Sequence, residues 1–355
     1  MRLAFITSTP LDIVHGSGTF NGIATLTRAL RALGCKIEFF TPETRFSIYT
    51  LERIYFNERL RWRKFDGFDA VVGFDMDGYG VRGTRLHIAS IKGVIADEMR
   101  FETGRTRRSM AIQAACERWH VRRAGLVMTT SRYAAGRIQQ LYELDKAPLV
   151  VPEAIDLQAW VELFRKNPAT PPPDRFTVLC VCRFYPRKRL ELLLESAERL
   201  RGRIPELEIR IAGGGPESER LHAIWYEKRL EGTVRWLGDI SQDDLAREYQ
   251  ACDIFCLPSV QEGFGIVFLE AMAANKPIVA ARAAAAPEVL PHGLLVEPEN
   301  AEALADGIER LHRNSGLRDA LATSGLHRVL EFNSPAVARR FLDCIEDAGP
   351  RLSRA

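Results

Sequence analysis

The sequence predicts an α/β protein built from two doubly wound parallel sheets. Three observations carry that expectation. Short apolar runs alternate with helical patterns along almost the whole chain. A stretch with four prolines, residues 165–175 (RKNPATPPPDR), breaks the alternation, which then restarts. At 355 residues the chain is too long for one ordinary core and fits two domains of roughly 150–200 residues.

The elements follow in order. Arg2–Ser8 (RLAFITS) reads as a buried strand, Gly22–Leu33 as a helix stopped by Gly34, and Lys36–Phe40 as the next strand. Ala70–Val72, Leu86–Ile91 and Leu126–Thr130 continue the sheet, with helices at Ser109–Arg123 and Arg132–Tyr142. After the prolines, Phe176–Val181 is a strand and Leu190–Leu200 an apolar helix. Leu207–Ala212 is a strand ending in Gly213-Gly214-Gly215-Pro216. Val234–Leu237, Ile254–Leu257 and Ile278–Ala280 add strands, and Leu294–Val296 closes the second sheet. The expected division is residues 1–164, a connector at 165–175, and a second domain from 176 to 331. Ligands of such sheets bind beyond the carboxyl ends of the strands, which here should face a central cleft.

Composition narrows the function classes. Hydrophobic residues are 46% and charged residues 27%, which excludes disorder, collagen and a coiled coil as the main theme. No run reaches the ~18 apolar residues of a membrane span. The opening residues read as a strand and not as a signal peptide. Seven cysteines, at 35, 116, 180, 182, 252, 256 and 344, lack the dense pairing of secreted scaffolds. They are expected to be core thiols of a reduced, cytoplasmic protein. Residues 1–150 hold 23 Lys+Arg against 15 Asp+Glu, while the remainder holds 26 against 31. The basic first half favours an anionic partner: phosphates, an acidic lipid surface or nucleic acid.

Two stretches carry chemistry. In Ser259–Ala274 (SVQEGFGIVFLEAMAA), Glu262 precedes Gly263-Phe264-Gly265, and a helix from Ile266 carries Glu270. Two carboxylates eight residues apart lie roughly 80° off register on one helix, so Glu262 belongs to the loop before it. The glycines let backbone approach a ligand, and the helix N-terminus suits a phosphate. In Cys182–Leu194 (CRFYPRKRLELLL), Arg183 follows a strand, and Lys188 lies in the basic run opening the next helix. Both are placed to meet phosphate oxygens. The plainer readings are a capped helix with two solvent-facing acids and a solvated basic turn.

Other features are weaker. Gly213 to Pro216 is neither a dinucleotide fingerprint nor a P-loop, and reads as a tight turn. Gly16-Ser17-Gly18 through Gly22 is a second candidate phosphate or sugar cradle, with a surface loop as the alternative. Asp75-Met76-Asp77 reads as a turn, and the seven His show no metal spacing. Thr50–Phe68 and Met99–Arg123 interleave Arg with aromatics, suiting either a solvated face or a membrane surface. Sequence-specific nucleic-acid motifs are absent.

Taken together, the motifs resemble the family 4 retaining glycosyltransferases (group 1 type) with the GT-B fold. The resemblance covers nearly the whole chain and is strongest from Phe176 to Leu311. It rests on PSVQEGFGIVFLEAMAANKPIVA, which contains a Glu-x7-Glu signature, and on CRFYPRKRLELLLES, IRIAGGGPESERL, VRWLGDIS and GLLVEPENAEALADGI. In the first half it rests on NGIATLTRALRALG, TTSRYAAGRIQQLY and VVPEAIDLQAW. It implies two Rossmann-like domains, and a final helix within 332–355 that crosses back to the N-terminal, acceptor-side domain. It further implies transfer of a sugar from a nucleotide-sugar donor, UDP- or GDP-linked, with same-face attack, no cofactor and no obligatory metal.

By that resemblance Arg183 and Lys188 hold the diphosphate and stabilise the leaving group, and Glu262 contacts the donor sugar. Gly263, Phe264, Gly265 and Ile266 offer backbone N–H groups, Glu270 binds the ribose, and Gly18 and Gly22 lie near the phosphates. The acceptor is a glycan, a lipid-linked saccharide or a small molecule, with peripheral contact at the inner face of the membrane through the basic half and no nucleic acid. The alternatives on the same fold are a sugar-nucleotide epimerase, a phosphorylase, or a non-catalytic nucleotide-sugar-binding homologue. The chain departs from the family pattern in four places. Lys92 stands where relatives carry a His, which leaves an acceptor or phosphate contact there. Pro152-Glu153-Ala154 replaces Pro-Asn-Gly. Ala-Ala precedes Pro287, where Gly-Gly is usual, and Asn275 replaces the Gly before Lys276.

Overall fold

The computed structural model describes residues 1–9, 18–44 and 46–352. They form two compact units, Met1–Ala154 with Ser334–Ala355, and Ile155–Asn333. In the first unit the strands are β1 (Arg2–Ile6), β2 (Lys36–Phe40), β3 (Ala70–Phe74), β4 (His87–Ile91), β5 (Leu126–Thr129) and β6 (Leu149–Val150). All are parallel, in the order β2-β1-β3-β4-β5-β6. Alternation along β1 serves two cores. Leu3 and Phe5 join Ile23, Leu26 and Leu30 of the helix Gly18–Ala32 on one face. Ala4 and Ile6 join Phe40, Phe56, Leu60 and Phe65 on the other. The helix Ser334–Leu352 adds Val337, Phe341, Leu342 and Ile345 to the first of these cores.

The second unit contains β7 (Phe176–Val181), β8 (Leu207–Ala212), β9 (Val234–Gly238), β10 (Ile254–Leu257), β11 (Ile278–Ala281) and β12 (Leu294–Val296). They too are parallel, in the order β12-β11-β10-β7-β8-β9. Chain order reverses direction between β7 and β10. The loops leaving these two strands therefore diverge and open a crevice at their carboxyl ends, where ligands of doubly wound sheets bind. Among the described residues all seven cysteines are free, and no helix is long and apolar enough to cross a membrane.

The expected domain boundary is wrong. The division falls at Ala154/Ile155 and again at Asn333/Ser334, and residues 165–175 lie inside the second unit. The cause is a helix that the sequence reading left in the first half, Leu157–Lys166. Asp156 caps it by accepting from Ala159 N at 3.0 Å. Its Trp160 is buried with its ring edge-on to Tyr249 at 5.8 Å, beside Phe164. Asn167 then ties the chain to the helix Gln242–Ala251: its side chain donates to Asp243 and accepts from Arg247, and its carbonyl accepts from Gln250. Prolines mark where regular structure stops; they do not decide which core the preceding helix covers. Trp160→Ala should therefore lower the stability of the second unit by about 3–5 kcal/mol in urea unfolding.

Candidate functional site

The crevice between β7 and β10 gathers most of the expected residues of the second unit. Arg183 lies just past β7, where the chain is pinned from both sides by the turn after β8. Cys182 N donates to Ala212 O (3.1 Å), Phe184 N to Gly214 O (3.0 Å) and Glu217 N to Phe184 O (3.1 Å). This closeness explains the glycines. A Cβ on Gly213, whose φ is +118°, would strike the Cys182 carbonyl, and one on Gly215 would sit 2.7 Å from Phe184 N. The Gly213–Pro216 segment is thus the tight turn that the sequence suggested. Arg183 remains half-exposed and donates to Asp239 at 3.3 Å, an acid just past β9 that the sequence reading did not single out.

Lys188 is brought to Glu262 by backbone. The Arg187 carbonyl accepts from Val260 N (3.0 Å) and Ser259 Oγ (3.2 Å), lacing the loop after β7 to the loop after β10. The Lys188 ammonium then donates to Glu262 Oε1 at 2.5 Å, with both side chains nearly buried. Glu262 does lie in the loop before the helix, which runs Ile266–Ala273. Gly263 leads into Phe264, whose ring is buried and edge-on to Phe332 at 5.3 Å. Gly265 caps the helix at φ +91°, and an added Cβ would meet the Phe268 ring at 2.6 Å. The N–H groups of Ile266 and Val267 precede the first hydrogen bond of this turn, Phe268 N to Gly265 O (3.0 Å), so the crevice carries a fixed partial positive charge.

Glu270 sits deeper on the same helix, 7% exposed, and accepts a hydrogen bond from the Tyr249 hydroxyl at 2.8 Å. Burial pushes its carboxyl up to about 7, against the lowering pull of Tyr249. One family departure also acquires a reason here. Asn275 adopts φ +55°, a left-handed conformation in which Asn is the best-tolerated substitute for Gly.

In the first unit, Gly18 opens its helix at the surface, while Gly22 is buried against the Glu153 carboxylate. The rest of the proposed cradle, Gly16 and Ser17, falls outside the described residues. Lys92 follows β4; its backbone N donates to Asp75 Oδ1 (2.7 Å) and its ammonium to Glu153 Oε2 (3.1 Å). The Asp75–Asp77 turn is more than a surface bend. Asp77 is fully buried and accepts from Ser8 N, Ser8 Oγ, Asn57 and Arg53, joining the ends of β1 and β3. His87 and His120 stack with their Nε2 atoms 3.1 Å apart, and burial lowers both, to about 2 and about 4, so the pair is neutral. Among the described residues no three His, Cys, Asp or Glu side chains are grouped to hold a metal ion.

Comparison with known proteins fits this geometry. Residues 163–328 match the family model described as glycosyl transferases group 1. A GDP-mannose-dependent alpha-(1-6)-phosphatidylinositol monomannoside mannosyltransferase of Mycobacterium tuberculosis is 32% identical over 148 residues, 39% of this chain and 38% of that protein. A D-inositol 3-phosphate glycosyltransferase of Nocardioides is 28% identical over 257 residues, 66% of this chain and 56% of that protein. The matched stretches thus span little more than a third to just over half the length of these relatives. Among solved structures, sucrose-phosphate synthase from Thermosynechococcus elongatus superposes with a TM-score of 0.83 at 21% identity, covering 98% of both chains. That likeness shows the fold, GT-B, made of two doubly wound Rossmann-like α/β units.

Glu270 makes a testable demand on pH. Its folded-state value lies above its ordinary 4.5, so the folded protein holds this proton longer than the unfolded chain. Stability from this group is complete below about pH 4.5 and is lost as pH rises through about 7. Urea unfolding of wild type should show that loss, on the order of 3 kcal/mol at most, and Glu270→Gln should remove it. Identical pH profiles would contradict the assignment.

Proposed function

We propose, from the match of residues 163–328 to the group 1 glycosyl transferases, that the chain transfers a sugar from a nucleotide-sugar donor to a hydroxyl-bearing acceptor. The observation that carries the proposal is the Lys188–Glu262 pair, set in the crevice of the second sheet beside the N-terminus of the helix Ile266–Ala273. A diphosphate suits this place. It meets the partial positive charge of the helix end and can take hydrogen bonds from Arg183 and Lys188.

Its arrival changes the pairing. Phosphate oxygens compete with Glu262 for the Lys188 ammonium, and the freed Glu262 carboxylate then accepts from a hydroxyl of the donor sugar. As the bond from the anomeric carbon to the diphosphate breaks, negative charge grows on the leaving oxygen, where both cations stabilise it. Glu270, with its carboxylate poised near neutrality, accepts from the ribose hydroxyls. The acceptor hydroxyl oxygen attacks the anomeric carbon on the same face, its proton passing to the departing phosphate oxygen, and the anomeric configuration is retained. On this reading no metal is required, because side-chain cations and the helix end take its place.

The donor is a UDP- or GDP-sugar; the GDP-mannose of the mycobacterial relative's name supports the second. The acceptor is a glycan, a lipid-linked saccharide or a small molecule, met in the cytoplasm. The excess of eight positive charges in residues 1–150 favours an anionic acceptor or one held at a membrane face.

Thermal unfolding with UDP, GDP and ADP and their sugar conjugates, with and without EDTA, tests the proposal. A ligand at about 100 times its dissociation constant adds about 2.7 kcal/mol. One base should stabilise the protein, and EDTA should not reduce the shift. Arg183→Ala or Lys188→Ala should weaken that nucleotide's binding by about 10–100-fold. Indifference to every nucleotide would overturn the reading.

A further inference from the structure

Two of the chain's departures from the family pattern, Lys92 and Glu153, are 61 residues apart and touch each other. Their side chains are 6% and 5% exposed, and the ammonium donates to Glu153 Oε2 at 3.1 Å. Both ends are fixed by backbone. Asp75 Oδ1 accepts from Lys92 N and Gly93 N at 2.7 and 3.3 Å, which pins the loop after β4. Val151 N donates to Thr129 O at 2.8 Å, which extends the pairing of β6 with β5 to the edge of Glu153. The Glu153 carboxylate fills the space that a Cβ on Gly22 would need. A cavity of about 10 Å³, bordered by Ser90, Thr130 and the pair itself, lies alongside.

The charge balance of this arrangement is informative. A free buried ammonium would be a ready phosphate site. Here the carboxylate cancels it, and a phosphate would have to sit beside Glu153 in a place poor in water, which like-charge repulsion opposes. A hydroxyl fits instead. It can accept from Lys92 Nζ and donate to Glu153 in one contact.

We infer that Glu153 is the positioning residue of Lys92, and that together they take an uncharged hydroxyl of the sugar acceptor and exclude phosphate. The choice of acceptor rests on the transferase reading; the coupling of the two residues and the exclusion of phosphate do not. Glu153 holds the ammonium in place at the carboxyl end of β4, so removing it frees Lys92 for an anion.

The test uses inorganic phosphate on the full chain. Wild type and Lys92→Met should show the same phosphate-dependent rise in unfolding temperature, the background from the second unit. Glu153→Gln should show an additional rise, at least a tenfold tighter apparent dissociation constant, that vanishes in Lys92→Met/Glu153→Gln. Gly22→Ala, which crowds the Glu153 carboxylate off its seat, should reproduce the gain if Glu153→Gln does not fold. No gain in either variant, or a wild-type response exceeding that of Lys92→Met, would overturn the inference. Urea midpoints give a second reading: the double variant should lose less than the two single losses combined, and strict additivity would dissolve the pair. A chain that ignores all nucleotides yet shows the phosphate gain would lose the transferase reading, and with it the acceptor, while keeping the coupled pair.

Discussion

The carbonyl of Arg187 is the point from which the candidate site hangs. It accepts from Val260 N and from Ser259 Oγ, and so ties two loops that leave neighbouring strands and would otherwise diverge. Sheet topology supplies the divergence: β7 and β10 are adjacent, yet their connections run to opposite sides. Without the tie, Lys188 and Glu262 would sit on separate loops, each free to pay its own ordering entropy. With it, a cation and an acid are held together at the mouth of a helix, and the glycine turn after β8 holds Arg183 nearby by the same economy of backbone contacts.

Most of the strand pattern was legible in the sequence, because buried parallel strands read as short apolar runs between helices. β6 was missed: it is two residues long and half-exposed, too little to stand out. The helix Leu157–Lys166 was assigned to the wrong half for a different reason. Its amphipathic pattern says that it must cover something, but only the partners of Trp160 and Asn167 say what. Local signals report the existence of an element more surely than its allegiance.

The site divides along the same line. Arg183, Lys188, Glu262 and Glu270 could be named because strand ends, glycines and helix starts bracket them. Their actual neighbours could not. Asp239 and Tyr249 are ordinary residues in sequence, and they matter only because the end of β9 and the helix Gln242–Ala251 deliver them. The same holds for Asp77, which looks like part of a polar turn yet is sealed under hydrogen bonds from Ser8, Arg53 and Asn57. Lys92 and Glu153 stand far apart as departures from a family pattern until the fold puts them in contact.

The helix Ser334–Leu352 carries a consequence for how the molecule is made. It completes the core of the first unit, with Phe341 fully buried there, although the whole second unit intervenes in the chain. The chain enters and leaves that second unit side by side, with Ile155 paired to Asn333. A ribosome therefore finishes residues 155–333 before the first unit has all of its apolar surface covered. During synthesis the unit begun first is the one that waits, its exposed helix Gly18–Ala32 in need of protection until residue 334 and its successors emerge.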